Sequence, residues 1–356
     1  MKGISKGEQS TLANPRLQLL SRSGGFLQDI HSGSYIIQDI RSADPVEKVS
    51  VTSIHTTNDK LGTGRYVLKT GDTAAWSLGT YRVVVSFKLS ETGATHTQVV
   101  EFEVLDAGDW VTGQGYIGYI STRRMLLDKF ADLPTMTIPE MHRLIREYSQ
   151  LITQWTGRMG FHPIYTTLKV DGSGTFQLLL DEAIIAIDKI TDVEGNAYDN
   201  TAYKVFNRHL DNGPDDRYNP KLARSGSIWP EGRQNVWITG VFGFTEPEAC
   251  EGTEQVSLGY TPEELGRVVG VLISRRVQDP QLTDPTVAAP GNVVSMKTRD
   301  QAITMGGAAS TASAGAGSSS MTGDPLLDQI LVRLARPVFA AYAGRGFNPT
   351  DTGNVL

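Results

Sequence analysis

The chain has 356 residues, of which 39% are apolar and 20% charged, and its net charge is −6. This composition is ordinary for a folded protein and excludes wholesale disorder. It lacks the basic excess that a broad, non-specific nucleic-acid surface needs. The only cysteine is Cys250, so no intrachain disulfide can form, and we expect this side chain to fill apolar space.

Residues 1–13 are polar and predict a flexible N-terminal arm. The first sixteen residues contain no apolar segment of the kind found in signal peptides. No run approaches the ~18 apolar residues that cross a membrane. We therefore expect a protein that is made in a cytoplasm and stays soluble, with no membrane partner.

Residues 14–106 have the texture of β-structure. The strongest signal is an alternation of apolar residues at every second position, which predicts a strand with one buried face. It runs through Tyr81, Val83, Val85, Phe87 and Leu89, and again through Val100, Phe102 and Val104. Together with the turn signals between runs, it predicts a small β-sandwich. The segments WSLGTYRVVVSF and VVEFEVL resemble the last two strands of immunoglobulin-like domains.

Helical signals begin after residue 106. Thr137 and Glu140 form a capping box at the start of an amphipathic segment that Gly157 ends. These signals predict helices at about 121–130, 137–157 and 261–277, all within a segment spanning 107–280.

A β-element is predicted between these helices, at 166–245. Gly172 and Gly174 lie between two apolar runs, and no lysine follows them as in a phosphate-binding loop. We interpret this stretch as a hairpin turn.

The composition changes again at 281–323, where Pro, Thr, Ala, Gly and Ser dominate. This segment predicts a flexible or extended linker, and the 307–320 run within it is expected to be a preferred protease site. A C-terminal helix follows at 324–341, with a tail at 342–356. One face of this helix needs a partner, either in the same chain or in a neighbour, and it carries Leu326, Leu327, Ile330, Leu331, Leu334 and Val338. Among these, Leu327, Ile330, Leu331 and Leu334 are the expected interface residues.

The sequence contains no clear motif for a catalytic, metal-binding or nucleotide-binding site. The six histidines form no short ligand pair, and His142 is expected on a solvated helix face. The GxGxxG match at 113–118 lacks a following helix. The 211–220 loop holds three carboxylates without the calcium-binding spacing. Asp181 and Glu182 are adjacent on a strand and should face opposite ways. We therefore predict no catalytic residue, no cofactor and no bound metal.

Trp229 lies in a Gly/Ser-rich loop, SGSIWPEG. A tryptophan in the middle of a domain is usually part of the core. The alternative is an exposed interface anchor, because tryptophan is enriched at such positions. Both interpretations stay open from the sequence.

The order of the predicted helices and of the β-element between them resembles that in the head-to-tail connector, or adaptor, proteins of tailed double-stranded DNA bacteriophages. The resemblance covers about residues 116–341. It rests on the order of EMHRLIREYSQLITQWTGR, LKVDGSGTFQLLLDEAIIAIDKI, NVWITGVFGFTEP, TPEELGRVVGVLISRRV and DPLLDQILVRLARP. The N-terminal β-sandwich and the insertion between Lys204 and Asn235 depart from the minimal family.

The resemblance implies a multidomain α+β protein. Its fold class would be an N-terminal immunoglobulin-like β-sandwich followed by a helical-bundle connector domain with an inserted β-element. Function would be structural: a homo-oligomeric ring of about twelve copies in the virion neck, assembled in the host cytoplasm. Its partners would be the portal protein and the tail terminator or other neck and tail proteins. Genomic DNA would pass through the channel without sequence-specific binding.

Two other classes remain open from the sequence. One is a different virion surface protein whose β-sandwich binds host or carbohydrate. The other is an enzyme, such as a glycoside hydrolase with an appended β-domain, which would need two carboxylates placed across a cleft.

Overall fold

A computed structural model describes residues 2–42, 44–107, 117–131, 136–210, 215–247, 256–278, 296–297, 302–303, 322 and 324–336. Strands hold 36% of the described residues. The cluster formed by Met1–Tyr116 and Arg158–Pro262 is mainly β, and that formed by Ile117–Gly157 and Glu263–Ala335 is mainly helical.

The N-terminal part is a β-sandwich whose larger layer we call the front sheet. Its strand order is β1-β10-β9-β5-β6. The strands are β1 (Lys2–Ser5), β5 (Ser32–Asp39), β6 (Val46–Ser53), β9 (Gly79–Lys88) and β10 (His96–Leu105). The alternating residues of β9 face the core, as their periodicity predicts, because successive side chains of a strand point to opposite faces.

A smaller back sheet closes the sandwich. It contains β2 (Gln18–Leu20), β7 (Lys60–Gly62) and β8 (Arg65–Val67) in the order β2-β8-β7. Its residues Leu19 and Tyr66 share a buried core with Tyr81 and Phe102 of the front sheet. Trp76 stacks on the Tyr81 ring at a centroid distance of 5.0 Å.

The segment expected to be a flexible arm is paired instead. Strand β1 runs parallel to β10, and Ile4 is fully buried in the sandwich core. Beyond the strand, the backbone N–H of Ser10 donates to the Thr70 hydroxyl at 3.0 Å. A four-residue strand with a single large apolar residue is too short for periodicity to reveal.

A hairpin leaves the sandwich and joins the next sheet. It contains β3 (Arg22–Ser23) and β4 (Phe26–Leu27). Phe26 pairs with Ile187 of the middle region, and Leu27 is buried there. The two β-regions are therefore joined by main-chain pairing as well as by the polypeptide link.

The middle sheet has the order β11-β16-β13-β4-β3. It is built on β11 (Ile164–Gly172), β13 (Ile184–Asp192) and β16 (Gly232–Phe242), and a small sheet packs on it. The small sheet contains β12 (Gln177–Leu179), β14 (Tyr203–Val205) and β15 (Lys221–Arg224). Gly172 ends β11 and Gly174 lies between β11 and β12, so no helix begins at this turn. The expected hairpin is wrong, because β11 and β12 belong to different sheets.

The helical cluster contains α1 (Thr122–Leu127), α2 (Ile138–Thr156), α3 (Glu263–Gln278) and α4 (Pro325–Leu334). The capping box at Thr137 is present, and Gly157 ends α2 in the left-handed conformation at φ 63°. His142 is fully buried, so the expectation of a solvated face is wrong for this residue. The remaining strands, β17 (Met296–Lys297) and β18 (Ala302–Ile303), pair with each other.

The predicted fold class is wrong in its second part. The expected helical-bundle connector domain with an inserted β-element is outweighed by β-structure. The β-segment between α2 and α3 forms two sheets with their own cores and takes a hairpin from the sandwich. Helix caps are local signals, whereas strand pairing joins distant residues, so the sequence predicts the helices but not the extent of the β-region.

Candidate functional site

The C-terminal helix α4 is fixed to its own chain. Leu327, Leu331 and Leu334 are buried, and Ile330 is half-buried. The Asp324 carboxylate accepts the backbone N–H of Leu326 at 2.9 Å. Of the two partners that the sequence leaves open for this apolar face, its own chain or a neighbour, the helical cluster of its own chain covers most of it.

Ion pairs fasten both ends of α4 to α3. Arg275 pairs with Asp324 at the start of α4, and Arg333 pairs with Glu264 near its end. Exposed pairs of this kind contribute little each, about 0–1 kcal/mol. Their main effect is on geometry, because they fix the position of α4 along α3.

Other apolar side chains of the helical cluster remain exposed. Leu326 is 71% exposed, Val332 62% and Leu127 59%. Both α4 residues lie outside the face that packs in the cluster. Exposed large aliphatic side chains are the parts of a helix available to another protein.

Trp229 belongs to the core of the middle region and is not an exposed anchor. It is fully buried and meets the Tyr198 ring edge-on at a centroid distance of 5.6 Å. Tyr203 and Leu222 belong to the same core. This tryptophan supports the small sheet and is inaccessible to a partner.

Buried charges surround Phe244 just after β16. The guanidinium carbons of Arg158 and Arg217 lie 4.3 Å and 4.5 Å from its ring centroid. Arg217 also pairs with Asp215 at 2.7 Å and with Glu246 at 3.0 Å. Asp215 and Glu246 neutralise the charge of Arg217, and both guanidinium groups lie over the Phe244 ring. These contacts tie together the loops that carry the arginines and Phe244.

The two adjacent carboxyls at the start of β13 have separate environments. Asp181 is exposed, whereas Glu182 is buried and accepts the backbone N–H of Met159 at 2.8 Å. Burial raises the pKa of Glu182. Asp181 forms an ion pair with Arg336, and its negative charge adds to the rise in the pKa of Glu182. The two carboxyls therefore interact, although only one of them is buried.

His209 lies in a short 3-10 turn beside the acidic loop. Burial, assisted by the charge of Arg217, lowers the pKa of His209 to about 4. Asp216 pairs with Arg208 at 2.9 Å, so the described carboxylates of this loop are engaged by arginines. Residues 211–214 lie outside the described residues.

Some of the features predicted from the sequence lie outside the residues that the structure describes. Residues 113–116 of the GxGxxG match, Cys250 and the 307–320 run all lie outside the described residues. Among the residues that are described, no group of three or more His, Cys, Asp or Glu side chains could hold a metal ion. Within the same ranges, no helix is long and apolar enough to span a membrane.

No known protein family and no curated protein matches this chain.

Proposed function

We propose that this protein is a non-catalytic structural subunit of a tailed-phage virion, placed at the connection between head and tail. The observation that carries the proposal is the division of the chain. Segments 117–157 and 263–335 belong to one cluster, and the β-segment 158–262 leaves it between α2 and α3. The resemblance to connector proteins rests on this order of segments along the chain, although the fold is mainly β and is not the helical bundle that the resemblance implied.

The side chains support a structural role. Arg217 beside Phe244 is paired with Asp215 and Glu246, and of the adjacent carboxyls Glu182 is buried whereas Asp181 is exposed. Exposed aliphatic residues on α1 and α4 offer contact area to a neighbouring protein. The net charge of −6 suits a channel that passes DNA without retaining it.

The assembly we propose is a closed ring. Neighbouring subunits in such a ring meet through heterologous contacts, and the ring matches the symmetry of the portal. Twelve copies of the 38.7 kDa chain would give a mass of about 464 kDa.

Binding to DNA-filled heads tests the proposal. The purified chain is mixed with tailless heads of the phage that encodes it, and bound copies are counted after sedimentation. We expect saturation near twelve copies per head, lost when the heads lack the portal. Binding that is absent, or that persists on portal-free heads, would contradict the proposal.

A further inference from the structure

The outward face of the front sheet is ordered in three rows that cross four strands. Strand pairing aligns β6, β5, β9 and β10, and the residues that do not face the core lie side by side. A hydroxyl row contains Ser53, Ser34, Ser86 and Thr97. An aliphatic row contains Ile36, Val84 and Val99 and continues at Val51, which lies in the register shift between the Tyr35–Thr52 and Ile37–Val49 pairs. A polar row contains Glu47, Gln38, Arg82 and Glu101.

The aliphatic row is unusual for a solvent-facing sheet surface. Val51 is 72% exposed and Val99 57% exposed, with Ile36 and Val84 half-buried between them. One face of an antiparallel sheet normally packs on the core while the other carries polar residues. A continuous line of β-branched residues on the outer face therefore indicates a contact surface.

The edge of this sheet is less suited to a partner than its face. Strand β6 is the outermost strand, and its pairing with β5 shifts register on both sides of Ile37. Irregularities of this kind, together with Glu47 and Lys48 on the strand, discourage the addition of another strand. The rows, by contrast, present side chains to a facing surface.

We infer that this face binds the same face of a second copy of the chain, around a two-fold axis that runs along the aliphatic row. Rotation about this axis lays the aliphatic row of one copy on that of the other. It also places each hydroxyl row opposite the polar row of the other copy. The facing pairs are Ser53 with Glu47, Ser34 with Gln38, Ser86 with Arg82, and Thr97 with Glu101.

The alternative two-fold axis, parallel to the strands, is electrostatically worse. It would set Glu47 against Glu101 of the second copy, and like charges in register repel. Hydroxyl groups, which both donate and accept, can instead complement carboxylate, amide and guanidinium groups alike. The arrangement of the rows thus selects both the partner and the axis.

The contact is small, so we expect weak association. Four strands spaced about 4.8 Å apart and five residues of about 3.4 Å each give a face of roughly 330 Å² per copy. Stable complexes usually bury about 1,200–2,000 Å² in total. The pair should therefore form at high local concentration.

This inference is independent of the ring. An isologous contact closes after two copies, so it cannot be repeated between neighbours around a cyclic ring of twelve. Since the proposed assembly is a single ring, this contact would form between free subunits before they enter the ring.

Cysteine crosslinking tests both the face and the axis. Single cysteines replace Val84, Ser86, Arg82 or the exposed turn residue Thr57 in a full-length Cys250→Ser background. Under a mild oxidant, Val84→Cys should form a disulfide-linked dimer, because residue 84 meets itself on the axis. Ser86→Cys and Arg82→Cys should each stay monomeric alone but crosslink when mixed. Thr57→Cys should do neither.

Each contrary result overturns the inference. A Val84→Cys chain that dimerises no faster than Thr57→Cys would exclude self-association through this face, leaving it to another partner or to solvent. Self-crosslinking by Ser86→Cys and Arg82→Cys as fast as by Val84→Cys would exclude the axis. Matching circular dichroism and thermal unfolding of all variants ensures that misfolding does not explain the pattern.

Discussion

At the scale of single residues, His209 makes the stability of the fold depend on pH. Its imidazole is buried beside Arg217, and its pKa falls to about 4 from an ordinary value of 6.5. The unfolded chain therefore takes up a proton before the folded chain does. The stability associated with neutral His209 is complete above pH 6.5, declines as the pH falls, and is lost below pH 4.

We predict that His209→Leu flattens the pH dependence of stability. Between pH 7 and pH 4, the wild type should lose about 1–3 kcal/mol more of its unfolding free energy than the variant. Urea unfolding at a series of pH values measures this difference. Glu182 has a raised pKa and acts in the opposite direction, but it is present in both proteins and cancels. Parallel curves for the two proteins would show that His209 does not titrate as described.

Burial of Ile4 makes a second residue-scale prediction. Ile4→Ala removes apolar contacts from the sandwich core and should lower the unfolding free energy by about 2–5 kcal/mol. Leu12→Ala, at a half-exposed position in the same segment, should change it by no more than about 0.5 kcal/mol. Thermal unfolding of the full chain compares them. Equal effects would mean that residues 1–13 form the flexible arm that their composition suggests.

At the scale of elements, two glycines of α3 should respond in opposite ways to alanine. A Cβ on Gly270 would lie 2.3 Å from Cδ2 of Phe130, whereas the nearest atom to a Cβ on Gly266 is 3.4 Å away. Alanine favours a helix over glycine by about 1 kcal/mol. Gly266→Ala should therefore stabilise by up to about 1 kcal/mol, and Gly270→Ala should destabilise by about 1–2 kcal/mol.

The cause can be isolated in a double-mutant cycle. In a Phe130→Ala background, the space beside Gly270 opens and the destabilising effect of Gly270→Ala should vanish. Chemical denaturation of the four proteins gives the coupling between positions 130 and 270. A Gly270→Ala penalty that survives the loss of the Phe130 ring would rule out the steric explanation.

The elements differ in how far the sequence predicts them. Alternation at Tyr81 to Phe87 and the capping box at Thr137 are local signals, and the structure has β9 and α2 there. Pairing of Phe26 with Ile187 joins residues far apart in the chain, so no local pattern reveals it. The burial of Trp229 and His142 depends on the same long-range packing.

The candidate interface shows the same limit. An apolar stripe on α4 is evident from the spacing of Leu327, Leu331 and Leu334, but spacing cannot tell whether the stripe packs on its own chain or on a neighbour. In the structure, it packs within the helical cluster. Leu326, which the spacing assigns to the same face, and Val332, which it does not, are both exposed.

At the scale of the whole molecule, neighbouring residues of α4 separate folding from assembly. Leu331→Asp places a charge in the helical core and should destabilise that cluster by several kcal/mol. Val332→Asp changes an exposed position and should leave unfolding within about 0.5 kcal/mol of the wild type. If α4 contacts the portal or a neighbour, Val332→Asp should nonetheless reduce binding to portal-bearing heads. Unchanged binding by this folded variant would remove the exposed side of α4 from the interface.

The central claim is that the chain forms a ring at the head-to-tail connection. Cryo-electron imaging of complete particles, with a small folded tag on the N-terminus of this protein, tests it most directly. We expect tag density in a single ring around the tail axis, directly below the portal, with about twelve copies around a channel wide enough for duplex DNA. Tag density on the capsid surface, on fibres or spikes away from that axis, or absent from the particle would contradict it.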